Sequence, residues 1–233
     1  MKTASRYIFM IFIVVAIVDL WLSQSGNENF RHITKPLLIP LLMLGYLLSI
    51  SQPLNPYAKL IFGGLFFSWL GDIFLMFEDP GGIWFICGLL AFLTTHLFYI
   101  RYFSKTISSS ESYFRKRPIL FLAVLAYLIE LLYILWPHLQ GMKVPVLLYG
   151  IIISLMLIMA LWQYGKLSSY TAWIFIGGAM FFVASDSLLA IDKFKQHLPF
   201  AELLIMSTYV LAQFLIVQGS IRHLKEPVRS YHH

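Results

Sequence analysis

Charged residues are scarce in this sequence, and their scarcity excludes an ordinary soluble domain. Only 12% of the 233 residues are Asp, Glu, Lys or Arg, whereas soluble domains carry about 25%. Hydrophobic residues make up 59% of the chain. Because a soluble surface still needs polar cover, the surface that lacks it here must face lipid.

Cysteine is almost absent, which excludes a disulfide framework and a cysteine-based metal site. The single Cys87 is interpreted as a small apolar packing residue. His96 has no second histidine four residues later, so no metal or other cofactor is predicted. The net charge of +6 does not indicate a nucleic-acid partner, since the basic residues lie between apolar runs, as in membrane proteins.

Eight apolar segments are long enough to cross a bilayer, which takes about 20 residues each. The sequence therefore predicts an all-α, polytopic bundle that forms a single transmembrane domain over residues 1–233. The first segment lacks a small-residue cleavage site and is interpreted as a retained helix. The predicted spans are 6–23, 35–51, 58–77, 82–103, 118–136, 144–164, 170–190 and 200–221.

The distribution of Lys and Arg predicts the orientation of the bundle. With the N-terminus inside, the inner segments hold 12 basic residues and the outer segments hold 5. The positive-inside rule then places both termini in the cytoplasm, and we expect a bacterial inner-membrane protein. The basic connection 104–117 is interpreted as a topology anchor, with contact to anionic lipid headgroups as the alternative. Trp21, Trp84 and Trp136 fall near span ends and fit an aromatic belt.

An internal repeat is visible at a spacing of 114 residues. Residues 63–78 read GGLFFSWLGDIFLMFE and residues 177–192 read GGAMFFVASDSLLAID. The two leading glycines of each segment coincide, and so do Asp72 and Asp186. The third and seventh spans share one orientation, so the pattern predicts two parallel four-helix halves, 1–117 and 118–233.

Asp72 and Asp186 are the first candidates for catalytic residues. An ionisable side chain inside a span normally faces the bundle interior and marks a functional site. At about 1.5 Å per residue, Asp72 lies about 21 Å and Asp186 about 24 Å along their spans, at similar depth. Two carboxyls at one level can act as acid and base. The alternative is that each forms a structural hydrogen bond between helices.

Further polar side chains recur at helical spacing inside the spans. His96 and Tyr99 share one face of the fourth span, and Tyr209 and Gln213 share one face of the eighth. Counting residues leaves about 12 Å between the depths of His96 and Asp72, of which helix tilt can close a part, so no contact between His96 and either aspartate is claimed from the sequence. Candidates for substrate binding are Lys35, Tyr99, Tyr149, Ser185, Tyr209 and Gln213.

The order of these fragments resembles the YhhN-type lysoplasmalogenase family of eight-helix membrane proteins. The resemblance covers most of the chain from the second span onward. It rests on Lys35-Pro36; Gly71-Asp72; Gly88 with Phe92, His96 and Tyr99; Pro145 with Tyr149, Met156 or Met159, and Ala160; Gly178 with Ser185-Asp186-Ser187; and Tyr209 with Gln213.

The resemblance implies hydrolysis of the vinyl ether bond of lysoplasmalogens to a fatty aldehyde and a glycerophospho-headgroup. Protonation of the vinyl ether carbon yields an oxocarbenium ion to which water adds. Two carboxyls can supply the acid and stabilise the cation, as in glycosidases. The expected partners are a lysophospholipid substrate and membrane lipids; the oligomeric state stays open. His96 joins the two aspartates as an expected catalytic residue.

Two other functions use buried carboxyls in a membrane. A proton-coupled transporter or channel is the main alternative, because acids inside spans can relay protons. An intramembrane aspartyl protease is disfavoured, since Trp69 stands where its usual signature has a glycine. An inert structural or interaction protein is the remaining alternative.

Overall fold

The computed structural model describes residues 3–26, 28–53, 55–77, 82–106 and 119–226, which form a bundle of long helices. Eight helices are long and apolar enough to cross a membrane, which confirms the predicted fold class. They are α1 (Thr3–Ser25), α2 (Glu28–Ser49), α3 (Pro56–Phe74), α4 (Ile83–Lys105), α5 (Ile119–Leu135), α6 (Lys143–Leu161), α7 (Ser169–Phe194) and α8 (Ala201–His223).

Three helix boundaries differ from the predicted spans in ways that affect the site. α2 begins at Glu28, so Lys35 lies two turns inside the helix instead of opening it. α3 ends at Phe74, only two residues after Asp72. α7 runs to Phe194, eight residues beyond Asp186. Hydropathy misses the extended ends of α2 and α7 because polar residues close to the bilayer surface lengthen helices at little cost.

Short connections join α1 to α2, α3 to α4, α5 to α6 and α7 to α8 at one end of the bundle, here called the distal end. The other end, here called the proximal end, contains the start of α1. Most of the basic connection 104–117 lies outside the described residues. Trp21, Trp84 and Trp136 all lie near the distal end and are exposed, as an aromatic belt requires.

The helices that carry the two aspartates begin at clear sequence signals. Asn55 caps α3 by accepting a hydrogen bond from the Tyr57 backbone N–H, and Pro56 occupies the first turn. Ser168 caps α7 in the same way, with the Thr171 N–H as donor. Such caps satisfy backbone donors that the first helical turn leaves unpaired.

A proline in α2 contributes to the contact between α2 and α3. Pro40 has no N–H, so the carbonyl of Pro36, four residues earlier, loses its helical partner. The indole Nε1 of Trp69 on α3 donates to that carbonyl at 3.0 Å. This bond satisfies an acceptor that would be costly to leave unpaired in lipid.

Close packing joins α3 to α4 and α7 to α8, the two most extensive contacts among the described helices. A Cβ on Gly64 would lie 2.4 Å from Cε1 of Tyr99, and one on Gly178 would lie 2.8 Å from Cγ1 of Ile216. Small residues therefore permit the close approach of each pair. The two pairs occupy matching places in the proposed repeat, which stays a prediction.

At the proximal end, Glu226 links the segment after α8 to the start of α7. Its carboxylate accepts hydrogen bonds from Ser168 Oγ and Thr171 Oγ1, each at 2.6 Å. Burial raises the pKa of Glu226, but these bonds and the Arg222 charge more than offset it, so its pKa lies below the ordinary value.

Candidate active site

A cavity of about 530 Å³ lies at the distal end, between α2, α3, α4, α7 and α8. Both aspartates border it, so the two predicted catalytic carboxyls face one space. Aromatic and aliphatic side chains, among them Leu75, Phe92 and Met206, form much of the wall. Among the residues that the structure describes, the charged ones in the lining are Lys35, Asp72, Asp186, Asp192, Lys193 and Glu202.

Asp72 lies near the end of α3 and is almost inaccessible, with 3% exposure. The hydroxyl of Tyr209 on α8 donates to its Oδ2 at 2.8 Å. A buried carboxyl with one donor keeps its second oxygen available to a molecule in the cavity. Tyr209 also borders the cavity, so its ring is in reach of the same molecule.

Asp186 lies in a cluster with side chains from α4 and α6. The Tyr149 hydroxyl donates a short hydrogen bond to its Oδ2. His96 Nε2 lies 3.2 Å from the same oxygen and 3.0 Å from the Tyr149 hydroxyl. Among the described residues, His96 Nδ1 has no partner, so the proton on Nε2 is the one that can be donated to Asp186.

The contact between His96 and Asp186 was not claimed from the sequence, where the depth estimate concerned His96 and Asp72. Phe85 of α4 and Phe194 of α7 have their ring centroids 5.6 Å apart, so these helices are level there. Counted from Phe85, His96 lies about 16 Å along α4, and counted from Phe194, Asp186 lies about 12 Å along α7. The two residues therefore differ in depth by about 4 Å, which their side chains can bridge.

Tyr99 and Gln213 form a layer behind Asp72. The Tyr99 hydroxyl donates to Gln213 Oε1 at 2.7 Å, and Gln213 Nε2 donates to Ser68 Oγ at 2.6 Å. Both residues are fully buried and neither borders the distal cavity. They hold α3, α4 and α8 together one turn below the Asp72–Tyr209 bond, and their contact with the substrate stays a prediction.

An aromatic cluster fixes the side chains between the two aspartates. The Phe182 ring packs edge-on against His96 at 4.7 Å and against Tyr209 at 5.7 Å. Phe92 packs edge-on against Tyr209 at 5.7 Å. These ring contacts leave little rotational freedom to His96, which lies against Asp186, and to Tyr209, which donates to Asp72.

The remaining predicted binding residues, Ser185 and Lys35, border the cavity. Ser185 donates its hydroxyl to the Ile205 carbonyl at 3.0 Å, so it also ties α7 to α8. Lys35 is half-buried. A lysine in the lining of a cavity is suited to bind a phosphate group as a point charge.

Sequence reasoning missed several charged residues at the distal end. Asp19 of α1 is buried and accepts a hydrogen bond from Thr34 Oγ1 at 2.6 Å. Arg31 of α2 forms an ion pair with Glu202 of α8. Their positions close to span ends hid them, since charges at span ends are common. Within the described ranges, no group of three His, Cys, Asp or Glu side chains could hold a metal ion.

Comparison with known proteins places the chain in a family. The sequence model of the YhhN family matches residues 30–220. The chain belongs to the YhhN family. This match confirms the resemblance carried by the motifs from the second span onward.

Curated relatives match over most of their length. The protein named lysoplasmalogenase TMEM86A from Homo sapiens is 34% identical over 232 residues, covering 91% of this chain and 86% of the relative. Its Bos taurus counterpart is 33% identical with the same coverage. Lysoplasmalogenase TMEM86B from Homo sapiens is 34% identical, covering 87% of this chain and 80% of the relative. No solved structure matches this chain.

Proposed function

We propose that this YhhN-family protein is a lysoplasmalogenase. It hydrolyses the vinyl ether bond of a lysoplasmalogen to a fatty aldehyde and a glycerophospho-headgroup. The names of the curated relatives support this activity. The observation that carries the proposal is the pair of carboxyls, Asp72 and Asp186, on one cavity at the end of a membrane bundle.

The hydrogen bonds suggest different roles for the two carboxyls. Asp186 receives bonds from Tyr149 and His96, which suits an anion, because bonds to ionised acceptors are about twice as strong as neutral ones. Within the described part of the chain, Asp72 accepts a hydrogen bond from Tyr209 alone. We therefore assign Asp72 as the proton donor and Asp186 as the carboxylate.

The reaction proceeds in steps that balance. Asp72 transfers its proton to the β-carbon of the vinyl ether, and the adjacent carbon becomes an oxocarbenium ion next to the Asp186 carboxylate. Asp186 takes a proton from water as its oxygen adds to that carbon, giving a hemiacetal. Asp186 then returns the proton to the glycerol oxygen as the C–O bond breaks, and Asp72 takes the hemiacetal hydroxyl proton. The aldehyde forms, and both carboxyls regain their starting states.

Two lysines in the cavity lining provide a place for the lipid headgroup. Lys35 and Lys193 border the cavity and provide positive charge for the lipid phosphate. His96 acts by holding Asp186 in position. The orientation we propose, with both termini in the cytoplasm of a bacterial inner membrane, directs the distal end and its cavity to the outer side.

The direct test is aldehyde release by purified protein in detergent. A 1-alkenyl lysophospholipid is compared with its saturated 1-alkyl and its 1-acyl counterparts. We expect aldehyde from the vinyl ether alone, since neither counterpart has an alkene carbon to protonate. A protein that moves protons across proteoliposomes but releases no aldehyde would instead be a transporter.

A further inference from the structure

Asp186 stands where a polar space and an apolar space meet. On one side is the distal cavity with its charged lining. On the other side are two narrow crevices of about 40 Å³ each, one between α4, α6 and α7 and one between α5, α6 and α7. Val146, Tyr149, Asp186 and Ala190 border both crevices. The crevices therefore share one wall along the α6–α7 seam.

The crevice between α5, α6 and α7 is bordered mainly by hydrocarbon side chains. Leucines of α5 form one side, and Val183 and Ala190 of α7 form another. About 10–15 Å³ of such space admits one water, and the crevice has about 40 Å³. It can therefore hold a short stretch of an alkyl chain, and the rest of the chain must lie in the surrounding lipid.

Helix α5 is the side of this crevice that can yield. Of the eight spans it is the least enclosed by the rest of the protein, since only 17% of its most apolar stretch is buried. It contacts α6 where Leu128 packs on Gly150, and the Tyr127 hydroxyl lies 2.6 Å from Ser187 Oγ on α7. Segments with few buried contacts open at the lowest free-energy cost.

We propose that the crevice between α5, α6 and α7 is the subsite for the alkenyl chain of the substrate, and that the aldehyde leaves beside α5 into the bilayer. This inference rests on the proposed lysoplasmalogenase function. In such a lipid the vinyl ether joins a polar glycerophosphate to a hydrocarbon chain. With the headgroup in the distal cavity and the first methylenes in the crevice, the scissile bond lies at the Asp186 carboxyl.

Ala190→Phe tests the subsite because Ala190 borders both crevices one turn beyond Asp186. Filling this space displaces the first methylenes, each of which contributes about fourfold through burial. We expect kcat/KM for a hexadecenyl lysolipid to fall at least about tenfold, and that for an ethenyl analogue, which has no carbon beyond the alkene, to fall less than about twofold. Ala126→Phe, at an exposed position of α5, should change neither value.

Equal losses with both substrates, or no loss with either, would overturn the subsite. Wild-type protein that releases no aldehyde from any vinyl ether lysolipid would refute the proposed function instead.

Photolabelling of wild-type protein decides the question without turnover and without a variant that has to fold. The probe is a saturated 1-alkyl ether lysolipid with a diazirine close to the ether oxygen. Label in peptides from α5 and α6 is expected, and label confined to α1 and α2 would place the chain elsewhere.

Discussion

Replacing Tyr149 by Phe removes one hydroxyl from the Asp186 cluster and keeps the aromatic ring. That hydroxyl donates to Asp186 Oδ2 and lies 3.0 Å from His96 Nε2. His96 remains close to the carboxyl, at 3.2 Å. The variant therefore removes one hydrogen bond to the Asp186 carboxylate and leaves the carboxylate in place.

The expected size of the effect follows from the charge on the acceptor. A hydrogen bond to an ionised group contributes about 1.5–3 kcal/mol, and about 1.4 kcal/mol corresponds to a tenfold change in rate. We expect kcat to fall about 10- to 100-fold, with KM little changed, because the lost bond holds the carboxylate and not the lipid headgroup.

The assay is steady-state aldehyde release from a 1-alkenyl lysophospholipid by monodisperse protein. Tyr133→Phe is the matched control, since Tyr133 is 81% exposed on α5 and its hydroxyl should not matter. Combining Tyr149→Phe with His96→Gln should give a non-additive loss, because both side chains act on one carboxyl. A kcat for Tyr149→Phe equal to that of Tyr133→Phe would refute the role of this cluster.

Three further predictions concern other parts of the chain. Lys35→Met should raise KM several-fold and leave kcat nearly unchanged, as expected for a headgroup contact; a loss in kcat alone would contradict it. Glu226→Gln should lower Tm at pH 7 and have a smaller effect at pH 4. Because the pKa of Glu226 is lowered in the folded protein, its carboxylate stabilises the fold above the ordinary Glu pKa of about 4.3, and this stabilisation is lost as the pH falls. An equal effect at both pH values would refute this reasoning. Reporter fusions after Gly26 and Gly141 should read outside and a C-terminal fusion inside, whereas the opposite result would invert the bundle.

The fold was predictable because lipid imposes one strong requirement on the sequence. Eight long apolar runs become eight helices, since backbone groups in the hydrocarbon region must be satisfied within the segment. The placement of Asp72 and Asp186 on one cavity agrees with the expectation that intramembrane carboxyls face the interior. Both inferences need only the position of a residue along its own helix.

Contacts between helices were not predictable in the same way. The link from His96 to Asp186 depends on where α4 and α7 are level, and on α7 continuing to Phe194. The pairing of Tyr99 with Gln213 depends on how α4 and α8 are rotated toward each other. Periodicity along one helix carries no information on either quantity, so the sequence marked these residues as functional candidates without showing which side chains they contact.

The central claim is that two carboxyls with different charges catalyse the cleavage, and Asn at each position tests it most directly. Asn keeps the volume and can still accept the bonds from Tyr209 or Tyr149, so folding should survive. General acid–base assistance contributes about 10²–10⁴-fold. The measurement is aldehyde release per mole of monodisperse Asp72→Asn and Asp186→Asn protein. We predict that each variant loses at least about 100-fold in kcat, whereas near-normal turnover by either folded variant would contradict the account.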